Sequence, residues 1–184
     1  MDWEALRRIV TEDGVDGRSR VLIDTAAAKQ IAVEEAGLAE IWTAGLSSEE
    51  LYDATDRLAG EDLRLEPQDG AMKVRWFTVA PEDAAQSEEE KEAAAAFAFG
   101  AVGASHTRVD ASLHPMMHKT ETLDVIILVR GRVDLILDEG EPTSLKPGDV
   151  VIQRATNHAW ANHGSETALL VAVLIKARDG SPAS

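Results

Sequence analysis

Short hydrophobic segments separated by turn residues dominate the second half of the chain. Arg132 to Leu137 alternates strictly between apolar and polar residues, Asp124 to Val129 is a β-branched run, and Ala168 to Ile175 is continuously apolar. Turn signals separate such segments at Asp138-Glu139-Gly140 and Pro147-Gly148-Asp149. We therefore predict an all-β, antiparallel fold, and a barrel of this size encloses one small ligand.

The first half is less regular. Arg18 to Asp24 and Ile41 to Thr43 are predicted to form short strands, and Met72 to Val79 alternates as a half-buried strand does. Ser47 to Leu58 is predicted to be a helix with Ser47 or Ser48 as its N-cap. The segment from Pro81 to Ala98 is predicted to be either a helix, capped before its Ala-rich part, or a mobile insertion.

Composition limits the classes of function. The chain has 184 residues, enough for one domain, and a net charge of −15, which disfavours nucleic acid and an anionic membrane surface as partners. It contains no cysteine, so thiolate ligands and a cysteine nucleophile are absent. The first residues lack the features of a signal peptide, and no apolar run approaches 18 residues, so we expect a cytoplasmic protein.

All five histidines lie between positions 106 and 163. If residues 114–120 are a strand, its alternation points His114, Met116, His118 and Thr120 to one side. Asp124 begins the next apolar segment and could meet them there. Two histidines and a carboxylate in a barrel mouth match the ligand set of one divalent Fe, Mn, Ni or Zn ion with positions open for substrate.

Two motifs resemble those of the cupin superfamily. His118-x5-Asp124-x6-Gly131 is similar to the first cupin motif, and Pro147-Gly148-Asp149-x8-His158-x3-Asn162 is similar to the second. With the strand pattern, the likeness covers roughly residues 72–176 and points to cupin-2 conserved-barrel proteins. It implies a cupin double-stranded β-helix, the RmlC-like jelly roll. It also implies that His118, Asp124 and His158 occupy metal-ligand positions.

The chain departs from the family pattern inside the first motif. Thr120 stands where the second histidine of the pair is usual, and Asp124 stands where glutamate is usual. His114 could substitute as a further metal ligand. The remaining candidates for the substrate pocket are Thr120, Met116, Gln153 and Trp160.

Three functions remain open. The first is a metal-dependent enzyme of the dioxygenase, isomerase or lyase type, with His118, Asp124 and His158 as catalytic residues and a small organic substrate. The second is a non-catalytic cupin that binds a small molecule without metal. The third is a metal-free enzyme in which a histidine moves a proton and Asp124 orients it.

We also predict the organisation of the chain and its assembly. Residues 1–70 would form an extension that packs on the barrel or on a partner subunit, residues 71–178 the barrel with its insertion at 81–98, and residues 179–184 a disordered tail. The apolar segments Val21-Leu22-Ile23 and Ile41-Trp42 exceed what a short barrel needs. In proteins that this chain resembles, such arms often cover a partner's sheet edge, so a homodimer is expected.

Overall fold

The structure, a computed structural model, describes residues 2–33 and 35–178, and strands dominate it. The strands are β1 Arg7–Asp13, β2 Ser19–Ala26, β3 Lys29–Val33, β4 Ala36–Gly45, β5 Ala71–Val79, β6 Leu123–Arg130, β7 Val133–Leu137, β8 Thr143–Leu145, β9 Val150–Arg154, β10 His158–Ala161 and β11 Ala168–Ile175. The helices are α1 Ser48–Leu51 and α2 Glu88–Ala101, with single 3-10 turns at Arg57–Ala59 and Ser105–Thr107. The predicted all-β fold class is confirmed. The predicted tail at 179–184 lies outside the described residues.

Two antiparallel sheets face each other across the core. The larger has the strand order β3-β4-β5-β11-β6-β9 and the smaller the order β10-β7-β8, while β1 and β2 form a separate hairpin. The buried core residues come from both sheets: Ile126, Leu128, Leu170 and Leu174 from the larger, and Val133, Leu135, Leu145 and Trp160 from the smaller. The two facing sheets agree with the antiparallel all-β fold that the turn spacing predicts, and with the jelly roll that the resemblance to cupins implies. No helix in the described part of the chain is long and apolar enough to cross a membrane.

The N-terminal part of the chain completes the larger sheet. Strand β4 pairs with β5, with Trp42 opposite Val74, so residues before position 70 extend the barrel wall. The predicted strand Ile41–Thr43 falls within β4, and the predicted strand Arg18–Asp24 overlaps β2, which begins one residue later at Ser19.

The helix predicted from Ser47 to Leu58 is wrong in length, because α1 ends at Leu51. Of the two predicted N-cap candidates the structure has Ser47, whose side chain accepts a hydrogen bond from the Glu50 backbone. The Asp53 side chain accepts hydrogen bonds from both the backbone and the hydroxyl of Thr55. Such a local side-chain turn competes with helical hydrogen bonding and ends the helix early.

Residues 88–101 form a helix that packs against the protein. Ser87 and Glu90 form a capping box at its start. Phe99 is buried with Val102 and Ala104, and partly buried side chains of β3 and β4 pack against this cluster. A bidentate ion pair between Arg108 and Glu92, with N–O distances of 2.8 and 2.6 Å, also holds the helix.

The segment 114–120 does not form the predicted strand, and the predicted shared face of its side chains is wrong. The Met117 amide donates to the His114 carbonyl at 3.0 Å, which makes a turn around Pro115. Proline lacks the amide that a strand would need here, and it fits a turn. As a result Met117 is fully buried, whereas Met116 is exposed.

Gly131 occupies the sharp connection between β6 and β7, with φ +87°. A Cβ atom at this position would lie 2.8 Å from the Ala168 Cα atom, which belongs to backbone that cannot move freely. We expect Gly131→Ala to lower the free energy of unfolding by about 2 kcal/mol, from left-handed strain and the clash together. Urea unfolding measures the loss.

Gly140→Ala is the matched control for this prediction. Gly140 has φ +88°, but a Cβ atom there would meet nothing within 4 Å. Gly140→Ala should therefore lower the free energy of unfolding only by the conformational cost, about 1 kcal/mol. Equal losses in the two variants would contradict the proposed clash with Ala168.

Candidate functional site

His118 and His158 meet across the barrel although they are distant in the chain. Their backbones form an antiparallel bridge, with N–O distances of 2.9 and 3.0 Å. The two imidazole rings lie with their centroids 4.3 Å apart at an angle of 46°. The side chain of His158 is buried and that of His118 is half-buried. The structure thus brings together two of the histidines that the motifs singled out.

Backbone carbonyls determine the tautomer of both rings. Nδ1 of His118 lies 3.0 Å from the Met116 carbonyl oxygen, and Nδ1 of His158 lies 3.0 Å from that of Thr156. Because a carbonyl oxygen only accepts hydrogen bonds, each Nδ1 carries the proton. Each neutral ring therefore keeps its lone pair on Nε2, the nitrogen that remains for a ligand.

Burial keeps both rings neutral at physiological pH. Removal from water is the main cause that lowers the pKa of His118, against the opposing hydrogen bond to Met116. Burial, with the neighbouring His118 as second cause, lowers the pKa of His158 to about 3. The pair consequently acts as hydrogen-bond acceptor or ligand donor rather than as a cation.

Aromatic side chains surround the pair. Phe99, from the end of α2, lies with its ring centroid 4.9 Å from that of His118. Trp160 meets His158 edge-on at 5.7 Å and also belongs to the core. Trp160 is among the pocket residues predicted from the sequence, whereas Phe99 is not, because the Ala-rich helix carries no motif that connects it to the barrel mouth.

Asp124 points into the barrel but interacts with residues other than the histidines. It shares the inner face of β6 with Ile126 and Leu128, and it is buried. Burial raises the pKa of its carboxyl to about 6, while a hydrogen bond from Thr122 and the charge of Arg75 oppose that shift. Its Oδ1 atom is buried without a hydrogen-bond partner among the described residues.

The predicted three-residue donor set is not assembled in this structure. Among residues 2–33 and 35–178, no three His, Cys, Asp or Glu side chains lie close enough together to hold a metal ion. His114, the suggested further ligand, instead places Nε2 2.9 Å from Glu82. His118 and His158 therefore supply two donors, and the metal role of Asp124 and His114 stays a prediction.

Two further pocket candidates, Thr120 and Gln153, are buried, and Gln153 adjoins an open cavity. Thr120 is buried, and its hydroxyl shares a 2.7 Å hydrogen bond with that of Thr122. The Gln153 amide donates to the Thr156 hydroxyl. Both Gln153 and Thr156 line an open cavity of about 370 Å³ between β7 and β9, with Leu135 and Val151. This cavity lies beside the turn that leads into His158.

A buried charged cluster that no sequence motif predicts lies between β4 and β5. Arg75 on β5 places Nη2 3.0 Å from Glu40 on β4, and Lys73 lies 3.8 Å from the same carboxylate. Burial is the largest influence on each group and raises the pKa of Glu40 while lowering those of Lys73 and Arg75. The alternation of Lys73, Arg75 and Phe77 along β5 signals that both cations face inward.

Comparisons with known proteins agree with this fold. The family model of the cupin domain matches residues 105–174. Phomopsin biosynthesis cluster protein C' of Diaporthe leptostromiformis is 51% identical over 47 residues, 26% of this chain and 25% of that protein. Cupin-domain-containing oxidoreductase srdD of Neurospora crassa is 48% identical over 46 residues, 25% of this chain and 24% of that protein. The chain thus matches about a quarter of the length of these curated relatives.

The polyketide cyclase RemF from Streptomyces resistomycificus is a structural neighbour with 16% identity and a TM-score of 0.44. The superposition covers 85% of this chain and 81% of that protein.

Proposed function

Because residues 105–174 form a cupin domain and this chain thereby belongs to the cupin superfamily, we propose that its barrel binds a small organic molecule against the His118–His158 pair. The observation that carries the proposal is the pair itself, two neutral imidazoles in ring contact with both Nδ1 atoms held by carbonyls. Each neutral ring offers an Nε2 lone pair that accepts a hydrogen bond, so the favoured ligand carries hydroxyl or N–H donors.

The surroundings of the pair favour a planar ligand. Phe99 and Trp160 present aromatic surface beside the imidazoles, and an aromatic ligand packs against such rings. The relatives named for a biosynthesis cluster and as an oxidoreductase support an organic small molecule as the ligand. A pocket that is mostly apolar, with a few oriented polar atoms, is the usual form of such a site.

A divalent metal fits the residues only in part. The Nδ1–carbonyl hydrogen bonds orient the two Nε2 atoms as outer-shell partners orient metal-bound imidazoles. A facial two-histidine, one-carboxylate site needs a third protein ligand, and the Asp124 carboxylate interacts with Thr122 and Arg75 instead. The described residues therefore do not complete a mononuclear site, and the proposed binding requires no metal.

The metal-dependent enzyme is retained as the second candidate function because of one observation, the orientation of both imidazoles by their Nδ1 atoms. In that case one Fe, Mn, Ni or Zn ion would be held by His118 and His158, and non-protein ligands would complete its coordination. Such an ion would supply Lewis-acid or redox chemistry for a dioxygenase, isomerase or lyase.

We expect His118→Asn to weaken binding of a hydroxylated aromatic probe about tenfold, which corresponds to the loss of one hydrogen bond. Asparagine keeps an N–H donor near the position of Nδ1, for the Met116 carbonyl, but has no atom in place of Nε2. Isothermal titration calorimetry with catechol in EDTA measures the change.

His163→Asn is the matched control, because His163 is a histidine of the same region with a largely exposed side chain. Its affinity for catechol should equal that of the wild type. Wild-type binding that survives EDTA supports the first function, whereas binding that appears only with added Fe(II), Mn(II), Ni(II) or Zn(II) supports the second. Unchanged affinity in His118→Asn would contradict both.

A further inference from the structure

A second cavity, separate from the His118–His158 pair, lies at the end of β4 and the start of β5. Its volume is about 190 Å³, and neither imidazole is among the described residues that line it. The cations and the acids in its lining are equal in number: Arg57, Arg64 and Lys73, and Glu61, Asp62 and Glu66. We call this space the β4–β5 cavity. Because its charges balance, it favours a polar but uncharged ligand over an ion.

Lys73 forms the floor of the β4–β5 cavity. Its side chain is 3% exposed, whereas those of Arg64 and Asp62 at the opening are 59% and 86% exposed. The strand register places Lys73 between Thr43 on β4 and Leu174 on β11, and all three are buried. Lys73 is therefore the most deeply buried charged residue that lines the cavity.

The ammonium group of Lys73 has few fixed partners for its three N–H donors. Among the described residues it donates one hydrogen bond, to the Arg64 carbonyl at 3.2 Å. Glu40 lies 3.8 Å away, which is longer than an ordinary hydrogen bond. A buried polar group with unused hydrogen-bonding capacity beside a cavity is a candidate contact for a ligand.

The surroundings of Lys73 favour its neutral amine. Burial is the largest influence and lowers the pKa of Lys73, and the charge of Arg75 lowers it further, against the opposing charge of Glu40. Burial also raises the pKa of Glu40, against the charges of both cations. A proton therefore passes from Lys73 to Glu40 more readily than between exposed groups of these types. Exclusion from water and a neighbouring cation are the conditions that activate a lysine for attack on a carbonyl group.

We propose that Lys73 binds small uncharged aldehydes or ketones covalently in the β4–β5 cavity, as an imine on its Nζ atom. Lys73 first gives a proton to Glu40, and the Nζ lone pair then attacks the carbonyl carbon. The carbonyl oxygen takes a proton from the same nitrogen, which gives a carbinolamine. Glu40 returns its proton to the new hydroxyl group, and this group leaves as water while the C=N bond forms. The protonated imine replaces the ammonium group beside the Glu40 carboxylate, so charge balances and no oxidant or reductant is consumed.

The test is reductive trapping on the wild-type chain at pH 7 with hydroxyacetone, a small hydroxylated ketone, and cyanoborohydride. Reduction converts the imine into a stable amine, and peptide mass spectrometry locates it among the lysines. We expect Lys73 to be labelled about tenfold faster than the exposed Lys146, because its amine is activated by burial and the cavity holds the ketone beside it. Lys29 is the internal control, since it is half-buried and donates to the Glu61 carbonyl but does not line the cavity.

A pair of variants extends the test. Lys73→Arg keeps a cation beside Glu40 but forms no imine, and most of the label bound per chain at early times should be lost. Lys29→Arg makes the same exchange outside the cavity and should keep the label at the wild-type level. Far-UV circular dichroism reports whether each variant is folded, and the peptide map of the wild type decides alone if Lys73→Arg does not fold.

Two outcomes would overturn the proposal. In the first, Lys29 or Lys146 of the folded wild type is labelled as fast as Lys73. In the second, the preference for Lys73 persists in urea, which means that the local sequence rather than the cavity causes it. The trapping experiment does not involve His118 or His158, so its result and that of the catechol titration are independent.

Discussion

Replacing Arg75 with methionine is expected to lower the free energy of unfolding by about 3–5 kcal/mol. Arg75 and Glu40 are 2% and 1% exposed, so their ion pair lies in the protein interior. Removing the guanidinium leaves the Glu40 carboxylate buried with only Lys73, at 3.8 Å, as a cation. Urea unfolding at pH 7 measures the loss, and the loss should shrink at low pH as Glu40 becomes protonated.

Two further variants separate the cost of an unpaired charge from the value of the pair. The double variant Arg75→Met with Glu40→Leu removes both charges and should recover most of the lost stability, because a buried ion pair contributes little beyond an apolar replacement. Arg7→Met breaks the exposed Arg7–Asp24 pair and should leave the unfolding midpoint almost unchanged. Similar losses for Arg75→Met and Arg7→Met would contradict the role assigned to burial.

Lowering the pH from 7 to 5 in the presence of EDTA is expected to destabilise the protein through His118 and His158. The pKa of each imidazole is lowered on folding, so below pH 6.5 the unfolded chain binds protons that the folded chain does not. Stability is therefore lost as pH falls below 6.5, by about 2 kcal/mol at pH 5 for a ring such as His158.

Asp124 acts in the opposite direction over the same range. Its pKa is raised to about 6, so the folded state binds a proton at pH 5 that the unfolded state lacks, which offsets about 1 kcal/mol of the loss. His158→Asn retains a donor for the Thr156 carbonyl but cannot titrate, and its stability should therefore fall less than that of the wild type. Urea midpoints at the two pH values measure this, and parallel falls would show that His158 is not the titrating group.

Local sequence patterns predict only part of the candidate site. The Pro147-Gly148-Asp149 turn and the strand β9 after it were predicted correctly, because a turn followed by a strand is a local pattern. The alternation assumed for residues 114–120 failed, because the turn at Pro115 interrupts the strand. His118 still reaches the site, since its backbone bridges to His158 rather than to a strand of its own segment.

Which side chains could together bind a metal or a ligand depends on distances between them, and a sequence motif does not specify these distances. Aspartate at position 124 is one methylene shorter than the usual glutamate, and burial, Thr122 and Arg75 act on its carboxyl. Phe99 comes to His118 through the packing of α2 against β3 and β4, which joins positions far apart in the chain. These relations arise only when distant segments pack.

The sequence by itself determined the all-β class, the turns and the strands β5, β6, β7, β9 and β11, whereas it left residues 81–98 open between a capped helix and a mobile insertion. The determined features follow from periodicity and turn chemistry, which act between residues close in the chain. Only the tertiary structure decided that His118 and His158 pair, and that Asp124 is buried where Thr122 and the charge of Arg75 act on its carboxyl. The reason is physical: burial, ring contact and strand register are properties of residues that the folded chain brings together, and they leave no periodic signal.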